Sequence, residues 1–309
     1  MYTDGRVKAC GMNNYGQLGI TSNSENIYTL TSLEFEDSIE KIIPGLNFTY
    51  FVMKDGTIKG CGQTTYGVLG EEAKALGSYT ASLVDIPVNY NDVKKISAGA
   101  SHALFLMNNG TVLGLGKNSS GELGINDSDS ISVPTPINIT NVKDIGCGYM
   151  FSTLITEDDK FYVTGHNEYG GLGIGNTNDV KTFTLNESID IRNTKYIFLN
   201  IFGMNIFKND GTMYGCGLNS QGQCATGSFS RVQMYPTKSI ITDIETPILN
   251  ILEYKYALKY DNKYCIINKN NELEYIDDIV NYSSLYSGLD EIIIESLPDN
   301  VRIVRLKYD

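Results

Sequence analysis

One Gly-rich pattern, written five times along the chain, constrains its fold more than any other feature. DGRVKACGMNNYGQLG at Asp4–Gly19 returns as DGTIKGCGQTTYGVLG at Asp55–Gly70 and as NGTVLGLGKNSSGELG at Asn109–Gly124. It returns again as DDKFYVTGHNEYGGLG at Asp158–Gly173 and DGTMYGCGLNSQGQCA at Asp210–Ala225. The Gly that opens the second half falls at Gly11, Gly62, Gly116, Gly165 and Gly217, a period of roughly 50 residues, within the range of propeller blades. Units of this size bury one another by stacking, so the expected product is an all-β propeller of six or seven blades.

Each copy reads as a small antiparallel sheet. An apolar run such as ALFLM (Ala103–Met107) precedes an Asn-Gly turn of the kind that suits a tight hairpin, and TVLGLG follows as a second strand. Upstream, NDVKKISAG (Asn91–Gly99) and NVKDIGCG (Asn141–Gly148) supply another strand ending in Gly. Downstream, Asn-x-x-Gly-x-Leu-Gly reads as a turn with a buried Leu. Residues 226–309 are less regular: Tyr264–Ile276 keeps strand, turn and strand without the glycines, and Glu291–Leu306 reads as a hairpin turning at Pro298-Asp299-Asn300. The chain is therefore expected to form one propeller domain over 1–309, with clear repeats to 225 and degenerate ones beyond. The first repeat lacks its preceding strands, which a closed ring would draw from the C-terminal segment.

DG-x-V followed by G-x-N-x-x-G-x-L-G at this period resembles the regulator of chromosome condensation repeat family, whose members form β-propellers, commonly of seven blades. The resemblance is specific over about residues 1–225. In that family the residue before the motif Gly is often Trp. Here the slot holds Cys10, Cys61, Leu115, Thr164 and Cys216, and the chain has no Trp, so it reads as a core position refilled by smaller side chains. Three of the six Cys share this slot, Cys224 replaces the motif Leu, and Cys147 aligns with Ala98. Buried thiols are expected rather than disulfides or metal ligands, and no CxxC spacing supports zinc.

Composition narrows the function. Lys and Arg total 24 against 36 Asp and Glu, a net charge of −12, and no basic run is present, which argues against nucleic acid and anionic membrane surfaces as partners. No apolar stretch approaches the ~20 residues that span a bilayer, and no signal peptide is visible at the start. Only two His occur. His102 in GASHALF is expected to be a hydrogen-bonded structural residue, and neither His adjoins a nucleophile motif. GLGKNSSG near Gly114 is scaffold rather than a phosphate loop, the Asp of the hairpin turns accept local backbone bonds, and NDSDS (Asn126–Ser130) is only a fragment of a calcium loop. The expectation is a chain without catalytic residues, metal or cofactor.

Tyrosine is the more suggestive residue, with 21 copies and recurrence at Tyr15, Tyr66 and Tyr169 in the motif turn. These rings suit either glycan and protein contacts or packing on the adjacent blade, with packing favoured. Specificity is expected in the unrepeated connections 71–91, with Tyr79 and Tyr90, 126–141 and 176–193, and in the Tyr-rich stretch 254–286. Tyr15, Tyr66, Tyr79, Tyr90, His166 and Tyr169 are thus the candidate binding residues. The function expected is non-catalytic recognition of a protein or a surface glycan, in the setting of an adhesin or a phage receptor-binding component, as one part of an assembly. That setting rests on a composition that looks AT-rich and bacterial, and places the protein on a cell surface or virion, with the cytoplasm left open. The alternative, implied by the resemblance, is regulation of a small GTPase by nucleotide exchange, or inhibition of an enzyme.

Overall fold

The hairpin strands of each repeat are nearly continuous apolar runs because both of their faces are covered, as Phe48–Met53 illustrates with every residue buried. The computed structural model describes residues 7–240 apart from 23–24, 34–37, 126–127, 221 and 229, and beyond them the backbone of six strands between 246 and 308. Sheet 1 pairs β1 (Val7–Met12) with β2 (Asn26–Leu33). Four-stranded sheets follow, each antiparallel and ordered as in the chain. Sheet 2 is β3–β6 (Ile39–Pro44, Phe48–Met53, Ile58–Gln63, Tyr79–Ile86), and sheet 3 is β7–β10 (Val93–Ala98, His102–Met107, Val112–Lys117, Ser130–Pro136). Sheet 4 is β11–β14 (Val142–Cys147, Phe151–Thr156, Phe161–Gly165, Val180–Leu185), and sheet 5 is β15–β18 (Thr194–Leu199, Gly203–Lys208, Met213–Leu218, Val232–Lys238). Sheet 6 is β19–β22 (Thr246–Ile251, Lys255–Tyr260, Lys263–Ile267, Leu273–Ile276), and sheet 7 pairs β23 (Leu289–Ser296) with β24 (Arg302–Tyr308).

The expected six or seven blades thus resolve into five full sheets and two half sheets. The halves are complementary. β1 carries the motif Gly of a third strand, whereas β23 shows a register shift between Leu289 and Glu291 like that of every first strand. In β3, β7, β11 and β15 the shift lies between Ile39 and Lys41, Val93 and Lys95, Val142 and Asp144, and Thr194 and Tyr196. The hairpin predicted at Glu291–Leu306 is present, and its Pro298-Asp299-Asn300 turn lies outside the described residues.

Successive sheets meet along their first strands, β3 with β7, β7 with β11 and β11 with β15, so these strands line the inner side. The apolar cores lie between neighbouring sheets. Phe48, Tyr50, Val68, Phe105 and Leu115 fill one seam, and Leu104, Leu123, Ile145 and Leu154 fill the next. Each fully buried side chain of this size contributes about 1.5–3 kcal/mol, so the seams carry most of the stabilisation.

The unrepeated connections contain a strand that sequence reading did not separate: β6, β10 and β14 run within 71–91, 126–141 and 176–193. Their residues do not recur because these fourth strands are outer edges with mixed exposure. β10 and β18 carry Pro134, Pro136 and Pro236, a residue type that blocks pairing of an edge with another chain.

The seams explain the motif glycines. Gly16, Gly67, Gly121 and Gly170 each lie on the fourth strand of the following sheet, where a Cβ would fall 2.7 Å from Ala81 N, 2.8 Å from Ser132 Cα, 2.6 Å from Lys181 Cα and 3.0 Å from Met234 Cα. Gly121 also has φ +88°, a left-handed conformation strained for any side chain. Gly121→Ala is expected to cost about 3–5 kcal/mol, the sum of that strain and of forced backbone displacement. Gly77, with φ +104°, ψ −155° and nothing within 4 Å of a Cβ, should cost about 1–3 kcal/mol when changed to Ala, from backbone strain alone. Denaturant unfolding of the two variants checks the difference, and equal losses would refute the seam as its cause.

Candidate recognition surfaces

The loop between third and fourth strands is built by one polar side chain. Asn13 Oδ1 accepts from Leu18 N–H at 3.0 Å, Asn118 from Leu123 at 2.9 Å, Asn167 from Leu172 at 3.0 Å and Asn219 from Cys224 at 3.0 Å. The Asn amides donate back to carbonyls further along the same loops, among them Ile20, Asn176 and Ser228. Both ends of the side chain are used inside a buried turn, where an unpaired amide would be costly. Thr64 takes this position in sheet 2 and bonds to Gly77 O. The loop so fixed presents carbonyls to the next sheet. Gln17 O accepts from Thr49 Oγ1 at 2.7 Å, Glu122 O from Ser152 Oγ at 2.6 Å and Gly121 O from Thr164 Oγ1 at 2.8 Å. Cys61 and Cys216, in the slot before the motif Gly, approach Gln17 O and Gly171 O of the preceding loop at 3.5 and 3.4 Å. That slot is therefore a seam position.

The six candidate residues fall apart into different environments. Tyr169 packs on Phe202 of the next sheet with ring centroids 4.7 Å apart, and Tyr66 lies under Lys117 Nζ at 5.6 Å, so both are committed to seams. Tyr90 is half-buried against the core of sheets 2 and 3. Tyr15 is half-buried in its loop, where its N–H donates to Gln17 Oε1. His166 is about a quarter exposed, with Asp179 3.1 Å from Nδ1 and Glu168 3.6 Å from Nε2. Tyr79 alone of the six is openly exposed, at 54%, at the start of β6. Most of the stretch 254–286 lies outside the described residues.

Exposed apolar groups that the sequence did not single out include Tyr28, Leu76, Val133, Met234, Tyr235 and Tyr196. Leu76 ends a short 3-10 turn, Glu72–Leu76, whose neighbour Glu71 bonds to Ser132 of the following sheet. Leu76 and Tyr79 thus lie in and just after the turn that leads into β6 of sheet 2, and Val133 lies on β10, the outer strand of sheet 3. Nothing marks them in the sequence, because the residues of the outer strands and of this turn do not recur from one repeat to the next. The opposite character prevails on the inner strands, where the register shift turns two adjacent side chains outward: Lys94 and Lys95, Lys143 and Asp144, Lys195 and Tyr196.

Potentially reactive groups are held inside. His102 is fully buried, and burial pulls its pKa down to about 3. Its Nε2 lies 3.0 Å from Ser152 Oγ, a pairing absent from any sequence motif. Ser152 is itself fully buried and directs its proton to Glu122 O at 2.6 Å, which leaves its oxygen to accept from His102 Nε2. His102 occupies the register position that Phe48 and Phe151 hold in sheets 2 and 4, each opposite a motif Gly. Cys10, Cys61, Cys147, Cys216 and Cys224 are free thiols. Burial pushes Cys61 and Cys216 up to about 12 and Cys147 to about 11, which leaves all three protonated at neutral pH. Among the described residues no group of three His, Cys, Asp or Glu comes together to hold a metal, and no helix is long and apolar enough to cross a membrane.

Comparison with known proteins agrees with this architecture. Family models for the regulator of chromosome condensation repeat match residues 93–122 and 109–155. The X-linked retinitis pigmentosa GTPase regulator homolog of Caenorhabditis elegans is 30% identical over 130 residues, 40% of this chain and 9% of that one. The secretion-regulating guanine nucleotide exchange factor of Bos taurus is 30% identical over 121 residues, 38% of this chain and 26% of that one. This chain therefore matches less than a third of the length of either relative. Among solved structures, Prp20p of Saccharomyces cerevisiae, described with its binding to Gsp1p and histones, superposes with a TM-score of 0.76 at 17% identity, over 91% of this chain and 75% of that one.

The buried His102 links stability to pH. Its folded pKa lies below the ordinary value of 6.5, so its contribution is complete above about pH 6.5 and is lost as the pH falls, because the unfolded chain takes up a proton that the folded one refuses. The loss is about 2 kcal/mol by pH 5. His102→Phe, matching Phe48 and Phe151, should remove that part of the pH dependence. Melting curves of both proteins at pH 7 and pH 5 test this, and parallel shifts would refute it.

Proposed function

We propose, for a chain that belongs to the regulator of chromosome condensation repeat family, a non-catalytic role in which the ring of sheets holds exposed side chains in place to bind a partner protein. The observation that carries this reading is a division of labour between repeated and unrepeated residues. The repeated Asn, Gly and slot residues spend their bonds on seams, whereas Leu76, Tyr79 and Val133 stand exposed on outer strands and a connection whose residues do not recur. Large apolar groups gathered on an otherwise polar surface mark protein contacts.

A second reading is favoured by the names of similar proteins: one relative is a guanine nucleotide exchange factor, and Prp20p binds Gsp1p. On that reading the chain would accelerate nucleotide release from a small GTPase. Fold alone does not decide between the two.

The test is retention of protein on the immobilised chain from an extract of its source organism. A specific partner should be retained, and retention should fall at least about tenfold with Leu76→Asp combined with Val133→Asp. Tyr169→Ala should lower stability instead. Retention of polysaccharide in place of protein would overturn the first reading. Faster release of labelled GDP from Gsp1p on adding the chain would replace it with the second.

A further inference from the structure

The connection between third and fourth strands is closed in the same way in four of the sheets. The backbone N–H at the start of the loop donates to the carbonyl of the residue that precedes the fourth strand: Asn13 to Glu25 O at 2.6 Å, Thr64 to Ser78 O at 3.0 Å, Asn118 to Asp129 O at 2.8 Å and Asn219 to Arg231 O at 2.8 Å. Sheet 4 uses a side chain instead. Asn167 N–H donates to Asp179 Oδ1 at 2.8 Å, and the same oxygen lies 3.1 Å from His166 Nδ1. The other ring nitrogen, Nε2, faces Glu168 Oε2 at 3.6 Å. The position of His166 is held by Met12, Gln63, Lys117 and Leu218 in the other repeats. A clamp made of neutral backbone elsewhere is thus made here of one imidazole between two carboxylates.

The loop closed by this clamp carries the seam to sheet 5. Tyr169 packs on Phe202, Gly170 lies over Met234, Cys216 Sγ approaches Gly171 O at 3.4 Å, and Gly175 N–H donates to Met234 O at 2.9 Å. Buried Asn167 pins the middle of the loop through Leu172 N–H and Asn176 O. The two ends are left to His166, Glu168 and Asp179, whose side chains all reach water.

The elements around His166 bring few other charges. Its N–H donates to Met150 O of the connection between β11 and β12, where Tyr149 is the titratable residue. Lys181 Nζ on β14 donates to Ser119 O of sheet 3, and Lys117 of sheet 3 pairs with Glu122. The imidazole therefore answers chiefly to Asp179 and Glu168. With a single proton, on Nδ1, it bonds to Asp179 and turns a lone pair towards the Glu168 carboxylate. With two protons it donates towards both carboxylates.

We propose that His166, Asp179 and Glu168 form a proton-operated latch, which tightens the 166–179 loop on sheet 5 as the surroundings become acidic. The latch acts on a seam between sheets and does not depend on what the exposed apolar residues bind. Its sense is opposite to that of His102, whose burial weakens the whole fold on acidification.

Hydrogen exchange of the 166–179 loop, followed by mass spectrometry in the wild type and in His166→Gln, tests the proposal. Glutamine is the residue that sheet 2 places here, at Gln63, so the variant should fold. Comparing the two proteins at one pH cancels both the intrinsic pH dependence of exchange and the effect of His102. Between pH 8 and pH 5 the wild-type loop should gain about threefold in protection over the variant, a gain that fades in high salt. Asp179→Asn, which keeps an acceptor for Asn167 N–H, should abolish that gain, and Glu168→Gln should reduce it. The loop of sheet 3, closed by Asn118 N–H on Asp129 O, should be indifferent to all three substitutions. A protection ratio that is unchanged or reversed between the two pH values, a gain that survives Asp179→Asn, or an equal change in the loop of sheet 3 would overturn the latch.

Discussion

The contact on which the structure depends is the approach of a glycine backbone to the fourth strand of the following sheet. At Gly121 a Cβ would lie 2.6 Å from Lys181 Cα, so sheets 3 and 4 can close only where no side chain intervenes. The Asn118 side chain holds the loop in the shape that permits this, and the carbonyls it leaves outward are taken up by Thr164 and Ser152 of sheet 4. One residue type thus sets the loop, the loop sets the seam, and the apolar cluster of the seam supplies the burial.

That arrangement separates scaffold from surface. A residue used in every seam cannot serve one partner without weakening the ring, which is why Tyr66 and Tyr169 are drawn into contacts with Lys117 and Phe202. Freedom to vary remains in three places: the outer strands, the connections and the shifted pair on each inner strand. The first two carry the exposed Leu76, Tyr79 and Val133, and the third carries Lys94, Lys95, Lys143 and Lys195.

The buried polar groups follow the same logic. His102 fills an aromatic position and forms one bond to Ser152 across a seam, and the thiols of Cys61 and Cys216 lie where small side chains let the preceding loop come close. Burial raises the thiol pKa values and lowers that of the imidazole, which keeps all three neutral in a dry interior.

The repeat, its hairpins, the all-β class and the neutral buried cysteines were legible in the residues, because glycine at fixed spacing and Asn-Gly turns have local physical consequences that hold in any surroundings. The fourth strands were not, since an edge with one neighbour tolerates many residues and leaves no pattern. The candidate residues divide along the same line: Tyr66 and Tyr169, which recur in the motif turn, contact Lys117 and Phe202 of the next sheet, the packing that their repetition favoured, whereas Tyr79, on an unrepeated connection, is exposed. Only the tertiary structure could bring Ser152 to His102 across 50 residues. Local chemistry determined what each repeat becomes, and the stacking of one repeat on another decided which side chains remain for a partner.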